Sequence, residues 1–302
     1  MGSIVPEAVF EPDLTVGSLL AADDAVWAFD WSGVTRIDPA TNQVVRFTLK
    51  AADGSERPSV FGAVGFGSIW VGDFDRGEVR RYDENTGELM IAISAASPEG
   101  LVVAGDSVWV ANHRTGSVSR IDPATNLVVA TVKLGQDGRS GPERIIAAGG
   151  NIWTGIPNEL AVGGIDPETN SSLGLITVIT PGIPCGDIGA FDGRLYVSGC
   201  ANAQALAVVD TRTMTAIGSP IFGGRVTAPV GVNDQLWVGV AGSTESAMTS
   251  LDPISLVVGR SIPVSRGYPI VLLQGFDSVW VAIELESEQR AWLLRLPVIA
   301  FD

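Results

Sequence analysis

GLVVAGDSVWVANHRTGSVSRIDPATNLVVATVKLG, residues 100–135, is the stretch that decides the fold of this chain. It contains four short runs rich in β-branched residues, and turn-forming residues separate them. The predicted strands are residues 101–104, 107–112, 117–121 and 127–133. Each turn is short enough to reverse the chain, so the stretch predicts one four-stranded antiparallel unit.

This unit is repeated along the whole chain. An aromatic residue recurs at intervals of 39 to 44 residues in the second strand of each copy: Trp27, Trp70, Trp109, Trp153, Tyr196, Trp237 and Trp280. Such a period is the length of one four-stranded propeller blade. We therefore predict an all-β, seven-bladed β-propeller with four-stranded antiparallel blades, folded as a single domain over residues 1–302.

The last repeat lacks its fourth strand. The seven Trp-centred repeats are expected at residues 17–50, 59–95, 99–135, 143–180, 186–222, 228–263 and 269–302. After the third strand of the seventh repeat, at 291–296, little chain remains. Residues 4–10 precede the first repeat and have no partner in it. We predict that residues 1–11 form a closing strand that completes the last blade, where Pro6 is tolerated because an outer strand is an edge.

Two repeated residue types are interpreted as scaffold. An aspartate occupies the turn between the third and fourth strands of six repeats, at Asp38, Asp83, Asp122, Asp166, Asp210 and Asp252. Aspartate suits the first position of a type I turn, because its carboxylate accepts a bond from the backbone amide two residues on. A residue repeated in most blades serves packing or turns, whereas an active site occurs once. The repeated Trp is interpreted in the same way, as packing between blades.

Composition excludes several partners. The chain carries 19 basic and 34 acidic residues, a net charge of −15, so it lacks the basic balance of a nucleic-acid binder. No uncharged apolar run reaches the roughly 20 residues that cross a bilayer, so we expect no membrane insertion. The start MGSIVPEAVF has no basic flank and no long apolar stretch, unlike a signal peptide; a signal trimmed from the native protein remains compatible with it.

Two cysteines, Cys185 and Cys200, flank a predicted hairpin whose turn is Asp192-Gly193. With that two-residue turn they face each other across the strands, near the separation that a disulfide needs. Two free buried thiols in the same register are the alternative. We favour the disulfide, which predicts an extracytoplasmic location: secreted, periplasmic or at the cell surface. A cytoplasmic location stays open.

Sequence motifs for catalysis are scarce. The chain has one histidine, His113, and no His and Cys residues with zinc-site spacing. It has no G-x-S-x-G elbow, no P-loop and no dinucleotide-binding fingerprint. Residues 73–78 faintly resemble a calcium loop. They align with the turn at 113–117 of the next repeat, so we interpret them as a hairpin turn.

Candidate site residues lie in the segments that lead into the first strands and in the turns between second and third strands, which share one face of a propeller. The densest polar group comprises His113, Arg114, Arg139, Glu143 and Arg144. The predicted ligand-binding residues are Glu99, Arg114, Arg139, Arg144, Asp187, Arg266 and Tyr268. This mixture of Arg and carboxylate suits a polar or anionic small ligand near the channel mouth. A rim of solvated loop charges is the alternative.

The phrase SVWVANHRTGSVSRIDPATNLVVATVKLG, residues 107–135, resembles YVTN-type β-propeller repeats and the virginiamycin B (streptogramin) lyase-like propellers. The resemblance implies seven blades, a secreted or periplasmic location and a ligand at one end of the central channel. The lyase is expected to use a histidine base, carboxylates and a magnesium ion. This chain has its single histidine in an early repeat and no matching His–Glu pair on a late blade, so no catalytic residue is carried over.

We therefore expect a monomeric, extracytoplasmic propeller that binds a small polar ligand or a protein partner on its loop-rich face. The alternative is a metal-assisted lyase or lactone hydrolase, with His113 or Glu143 as base and a Mg²⁺ or Ca²⁺ ion at the channel mouth. A structural domain that presents loops to a larger assembly is a third reading. Replacing Arg144 or His113 by Ala is expected to leave the fold intact, because loop residues add little to the core.

Overall fold

The computed structural model describes residues 5–11, 16–31, 33–56, 61–136, 141–178, 187–199, 203–242, 245–264, 267–285 and 290–301. Within these residues the strands form seven small antiparallel sheets. The protein is a seven-bladed β-propeller, as the repeat predicts. In the same residues no helix is long and apolar enough to cross a membrane.

The strands follow one another blade by blade. The closing strand is β1 (Ala8–Phe10). The first blade has β2 (Val16–Ala22), β3 (Ala25–Asp30), β4 (Gly33–Ile37) and β5 (Val44–Phe47). The second has β6 (Gly62–Val64), β7 (Ser68–Asp73), β8 (Glu78–Asp83) and β9 (Leu89–Ser94). The third has β10 (Pro98–Ala104), β11 (Ser107–Asn112), β12 (Ser117–Asp122) and β13 (Leu127–Lys133). The fourth has β14 (Ile145–Ala148), β15 (Asn151–Ile156), β16 (Ala161–Asp166) and β17 (Ser171–Thr177).

The fifth blade has β18 (Ile188–Phe191), β19 (Arg194–Ser198), β20 (Leu206–Asp210) and β21 (Thr215–Gly218). The sixth has β22 (Arg225–Val226), β23 (Val230–Val232), β24 (Gln235–Ala241), β25 (Ser246–Leu251) and β26 (Val258–Val264). The seventh has β27 (Tyr268–Gly275), β28 (Ser278–Leu285) and β29 (Arg290–Pro297). Short 3₁₀ turns span His113–Thr115, Pro157–Glu159 and Val298–Phe301.

The sixth blade departs from the repeat, because its first strand is in two pieces. Both β22 and β23 pair with β24. Pro229 lies directly before β23 and has no backbone N–H to donate to the ladder, so the pairing is interrupted there. The sixth repeat therefore begins at Arg225, before the predicted residue 228.

The chain divides into two compact units. The first comprises residues 1–28, 37–44 and 179–302, and the second comprises 29–36 and 45–178. The second, third and fourth blades belong to the second unit, and the fifth, sixth and seventh belong to the first. A single folding domain over the whole chain stays a prediction.

The closing strand lies where the sequence predicts it. β1 pairs antiparallel with β29, with Phe10 opposite Leu293. The Phe10 ring stacks on Trp280 at 5.8 Å between centroids, and the Glu7 carboxylate lies 3.1 Å from Nε of Arg295. The amino-terminal segment therefore supplies the outer strand of the seventh blade, and residues 1–4 of the predicted segment lie outside the described residues.

The six turn aspartates act as the sequence predicts. In every case the carboxylate accepts a hydrogen bond from the backbone N–H two residues on, at 2.8 to 3.0 Å. Hydrogen bonds within the turn hold the pKa of five of the carboxyls below its usual range. The N–H two residues on has the largest effect at Asp83, Asp122 and Asp166, and the N–H three residues on has the largest effect at Asp210 and Asp252. The repeated carboxylates are thus committed to the backbone of their own turns.

Latch arginines join neighbouring blades, and sequence analysis missed them. In the second unit, Nη1 of Arg81 donates to the Pro123 carbonyl at 2.6 Å and to Oδ1 of Asn126 at 2.8 Å. Arg120 repeats the contact one blade on. The latch arginines are Arg81, Arg120, Arg194 and Arg295, and in every case the carbonyl bound is that of the residue after the turn aspartate. Arg295 binds the turn of the first blade, so it connects the seventh blade with the first.

The cysteine hairpin has the predicted register. Gly189 faces Tyr196, and Phe191 faces Arg194 across the turn Asp192-Gly193. Cys185 and Cys200 themselves lie outside the described residues. Their disulfide stays a prediction.

Candidate functional site

Three ionisable side chains from two neighbouring blades meet in the second unit. Glu99, His113 and Glu143 each place one ligand atom so that all three atoms lie within 4.8 Å of one another. Nδ1 of His113 is 3.2 Å from Oε2 of Glu99 and 3.8 Å from Oε1 of Glu143. We call this the Glu99–His113–Glu143 cluster. His113 and Glu143, two residues of the polar group predicted between repeats three and four, therefore lie close together in the fold.

A β-bulge presents Glu99. Pro98 pairs with Asn112, and the register of β10 against β11 then shifts before Leu101. A bulge re-aims the side chains that it contains and is common beside functional sites. Ser97, directly before the strand, has a left-handed φ of 58°, which is unusual for a residue with a side chain. The backbone is therefore irregular where Glu99 turns toward the cluster.

The histidine follows the second strand of the third blade. His113 opens a 3₁₀ turn, and its N–H donates to the carbonyl of Ser97 at 3.1 Å. Gly116 ends the turn in the left-handed region, at φ 56°. Before it, the buried Asn112 donates from Nδ2 to Oγ of Ser119 at 2.7 Å. The imidazole thus belongs to a turn that the sheet holds at both ends.

The second carboxylate comes from the segment that leads into β14. The N–H of Glu143 donates to the Gly155 carbonyl at 3.2 Å, and the N–H of Gly155 donates to the Arg144 carbonyl at 3.3 Å. This two-way pairing with β15 extends the sheet by two residues. It fixes the backbone of Glu143 and of its neighbour Arg144.

Two glycines allow the three segments to approach. A Cβ atom at Gly141 would collide with the backbone of His113, and a Cβ atom at Gly100 would collide with the carbonyl of Glu143. Any larger residue at either place would push the third and fourth blades apart at this point. The close contact of the cluster therefore depends on residues that carry no chemistry themselves.

Aromatic rings and arginines surround the cluster. The Phe74 ring lies 5.8 Å from the His113 ring, and the guanidinium of Arg114 lies 4.6 Å from the centre of Phe74. The guanidinium of Arg144 lies 3.2 Å from the centre of the Phe61 ring. Neither phenylalanine was a predicted site residue, and nothing in the repeat distinguishes Phe61. The Phe74 position could have been found, because it aligns with His113 in the turn of the next repeat.

Burial sets the electrostatics of the cluster. It raises the pKa of Glu143 to about 7, with the nearby charge of Glu99 adding to the effect and Arg144 opposing it. Burial also raises the pKa of Glu99, against the charges of His113 and Arg144. The Glu143 side chain is 21% exposed and the Glu99 side chain 30%, so both still reach solvent. A carboxyl of this kind exchanges its proton near neutral pH.

The donor set of the cluster fits a divalent cation. It offers two carboxylate oxygens and one imidazole nitrogen, and Nδ1 of His113 is buried with no aligned hydrogen-bond partner. Carboxylate oxygens and neutral imidazole nitrogens are common metal ligands. Glu99, His113 and Glu143 are therefore the residues that could hold the metal of the enzyme alternative.

The remaining predicted residues lie elsewhere or are not described. Asp187 directly precedes β18, where its carbonyl accepts the N–H of Ser198 at 3.0 Å, and Tyr268 opens β27 opposite Glu284. Both belong to the first unit, whereas the cluster belongs to the second. Arg139 and Arg266 lie outside the described residues.

The segment with a faint calcium-loop pattern is a hairpin turn. The N–H of Gly77 donates to the Asp73 carbonyl at 2.9 Å, which closes the turn. The buried Asp73 carboxylate accepts a bond from Nη2 of Arg80 at 2.8 Å. The interpretation of residues 73–78 as a turn is confirmed.

Comparison with known proteins places the fold and no more. No family model and no curated protein sequence matches this chain. Among solved structures, the streptogramin B lyase structure is similar at 15% identity and a TM-score of 0.72, over 96% of this chain and 97% of that chain. Hydrazine synthase of Kuenenia stuttgartiensis is similar at 13% identity and a TM-score of 0.73, over 96% and 98%. The structure of U3-55K is similar at 13% identity and a TM-score of 0.71, over 97% and 100%. Identities this low show a shared propeller fold alone.

Proposed function

We propose that this β-propeller binds a small polar ligand at the Glu99–His113–Glu143 cluster, on the loops of the third and fourth blades. The observation that carries the proposal is the convergence of three ionisable side chains from three separate segments within 4.8 Å. Arg144 stands beside the cluster as a positive group for an anionic part of the ligand. Phe61 and Phe74 offer apolar surface for the rest of it.

Partial burial argues for a site and against a rim of solvated charges. Solvated loop charges keep their hydration and stand apart, whereas here two carboxylates share a half-buried space with one imidazole. Burying like charges together opposes folding, so such an arrangement is typical of a functional site. The cluster has acceptors in the carboxylates and a cation in Arg144, which together suit a ligand with both hydroxyl or amino groups and an acid group.

Thermal unfolding with a panel of small polar compounds tests the proposal. The probes are dicarboxylates, amino acids, polyamines and neutral sugars, each added to the intact protein. A ligand at one hundred times its dissociation constant stabilises the folded state by roughly 2.7 kcal/mol, which raises the melting temperature by several degrees. We expect at least one class to do so in the native protein and to lose the effect in His113→Ala and Glu143→Gln.

The control variant is Glu168→Gln, which removes an exposed carboxylate from a turn of the fourth blade. It should keep the full shift, and circular dichroism should show all three variants folded. A shift that survives both cluster variants would place the ligand elsewhere. A panel without any effect on the native protein would count against a small polar ligand.

A second candidate function is a metal-assisted lyase or lactone hydrolase. The observation that favours it is the pair formed by His113 and Glu143, 3.8 Å apart with both side chains about a quarter exposed. Such a pair can take a proton from a substrate and return one to a leaving group. Incubation with cyclic depsipeptides and lactones, with magnesium or with chelator, would reveal ring opening by mass spectrometry. Activity that persists in both His113→Ala and Glu143→Gln would refute these roles.

The wider setting is also proposed. We place the repeats with the YVTN type, on the strength of the repeated turn and strand phrase, and we expect a monomer. The net charge of −15 supports partners other than nucleic acid.

An extracytoplasmic location rests on the predicted disulfide of Cys185 and Cys200. Thiol titration of the denatured, unreduced protein checks it: two reactive thiols would argue for a reducing compartment. A protein partner on the same loops, or a loop-presenting role in an assembly, is the alternative to a small ligand.

A further inference from the structure

We propose that Glu99, His113 and Glu143 bind one divalent cation of the first transition series, with Zn²⁺ as the best-fitting probe. The ion would keep at least one coordination position open toward solvent. This inference rests on the proposed function, because it makes the ion part of the site that receives the polar ligand.

The geometry matches the dimensions of such a site. Ligand atoms about 2.1 Å from a tetrahedral Zn²⁺ are about 3.4 Å from one another. The distances from Nδ1 of His113 to the carboxylates are 3.2 Å for Glu99 and 3.8 Å for Glu143, on either side of that value. The third separation, between the two carboxylate oxygens, is within 4.8 Å, so rotation of the side chains can bring the three donors around one ion.

The donor types select the kind of ion. Mg²⁺ and Ca²⁺ prefer sets made only of oxygen, whereas Zn²⁺ and its neighbours in the series accept imidazole nitrogen together with carboxylate oxygen. Nδ1 of His113 is buried, and although it lies 3.2 Å from Glu99 it lacks the alignment of a hydrogen bond. In the neutral tautomer with the proton on Nε2, Nδ1 presents a lone pair toward both carboxylates.

Charge and access complete the argument. Two ionised carboxylates neutralise a divalent ion, which also removes the repulsion between Glu99 and Glu143. Three protein ligands leave one of the four coordination positions of a tetrahedral ion open. Metal sites that receive a substrate or a water molecule have this arrangement. The cluster side chains are 21 to 30% exposed, so a ligand can reach that position. The charge of Arg144 acts on both Glu99 and Glu143, so it would also attract an acid group bound there.

Isothermal titration of the chelator-treated, unreduced protein tests the inference. The probes are Zn²⁺, Co²⁺, Mn²⁺, Mg²⁺ and Ca²⁺. We expect one Zn²⁺ per chain, bound at least about tenfold more tightly than Mg²⁺ or Ca²⁺. The visible absorption of bound Co²⁺ should show low coordination number and should change when a polar ligand is added.

Variants assign the binding to the cluster. His113→Ala, Glu99→Gln and Glu143→Gln should each weaken Zn²⁺ binding by about tenfold or more, since each removes one of three ligands. Glu168→Gln, exposed on the same blade as Glu143, should bind as the native chain does. Circular dichroism of each variant excludes unfolding as the cause. Unchanged Zn²⁺ affinity in the three cluster variants, or tighter binding of Mg²⁺ than of Zn²⁺, would overturn the inference.

The two proposals fail separately. If no ion binds but a polar compound still raises the melting temperature through the cluster, the ligand site stands and the metal does not. If Zn²⁺ binds and no polar compound acts with or without it, the metal stands and the ligand proposal fails.

Discussion

Carboxylates act in opposite ways at two places in this protein. In the turn after β12, Asp122 accepts the N–H of Ala124 and the hydroxyl of Thr125, both at 2.8 Å, and these bonds hold its pKa below the usual range. In the cluster, burial raises the pKa of Glu143 to about 7. Ionised turn carboxylates therefore stabilise the fold, whereas an ionised cluster carboxylate opposes it. The second arrangement is typical of a residue kept for function.

The first prediction follows from that turn. Because its pKa is depressed in the folded state, Asp122 contributes stability above the ordinary value of 3.8, and this is lost as pH falls through the lower folded value. We expect Asp122→Ala to melt below the native protein at pH 7, with a difference that shrinks below about pH 4. Asp75→Ala, on an exposed turn, is the control. A difference that stays constant down to pH 2 would contradict the role of the charge.

The second prediction concerns the last residue of the same turns. Asn42, Asn126 and Asn170 have left-handed φ values of 54 to 60° there, and Met214 holds the corresponding place with φ 56°. Asparagine tolerates this region, whereas a longer side chain is strained in it. Met214→Asn should raise the free energy of unfolding by about 0.5 to 1 kcal/mol in denaturant titration. Asn126→Met should lower it, both through the strained backbone and because the change removes the Oδ1 acceptor of Arg81. A lower free energy of unfolding for Met214→Asn would show that packing of Met214 dominates.

At the scale of elements, each latch arginine connects a strand of one blade with a turn of the next. Arg81, Arg120 and Arg295 lie on the third strands of their blades, and Arg194 lies on the second strand of its blade. Arg120 stands opposite Trp109 across β11 and β12, with its guanidinium 5.3 Å from the indole centre. It donates to the Pro167 carbonyl at 2.9 Å and to Oδ1 of Asn170 at 3.0 Å. A planar guanidinium can bind two acceptors while it stacks on a ring, so one residue fixes the spacing of two blades.

The third prediction removes this latch. Arg120→Ala should lower the free energy of unfolding by about 2 kcal/mol, because hydrogen bonds from a charged group contribute more than neutral ones. Arg120→Lys should recover little of the loss, since lysine lacks the fork geometry. Arg212→Ala is the matched control: its side chain is 73% exposed and 3.7 Å from Asp210, and a change within about 0.5 kcal/mol is expected. Equal effects of the two alanine variants would show that the latch contributes nothing.

At the scale of the whole molecule, closure depends on a strand from the other end of the chain. β1 adds to the seventh blade, and Phe10 covers Trp280 there. Arg295 contacts Glu7 in the closing segment and also binds the carbonyl of Pro39 in the first blade. Arg295 therefore connects the closing segment with the first blade.

The fourth prediction tests closure. Deleting residues 1–11 should lower the free energy of unfolding by about 3 kcal/mol, because Phe10 leaves an apolar gap beside Trp280. In calorimetry the melting temperature should fall by about 5 to 10 °C. Val9→Ala, at a half-exposed position of the same strand, should change little. An unchanged melt after deletion would show that β1 does not hold the blade closed.

The sequence by itself determined the blade count, the strands of the third blade, the turn chemistry and the closing strand. These features are local, because strand alternation, turn residues and a fixed period are visible within about 42 residues. The predicted bounds of β11 and β13 match the structure residue for residue. The sequence shows Pro229 but does not predict that it splits the first strand of the sixth blade, because this effect depends on pairing with β24.

Only the tertiary structure decided which loop residues meet. Glu99 reaches His113 because a bulge shifts the register of β10, and a shift of one residue reverses the direction of every side chain. Glu143 joins them because glycines let two blades approach. Arg81 and Arg120 bind turns 42 to 50 residues further along the chain, a separation that no local pattern encodes. Repetition specified the scaffold, and the departures from it specified the candidate site.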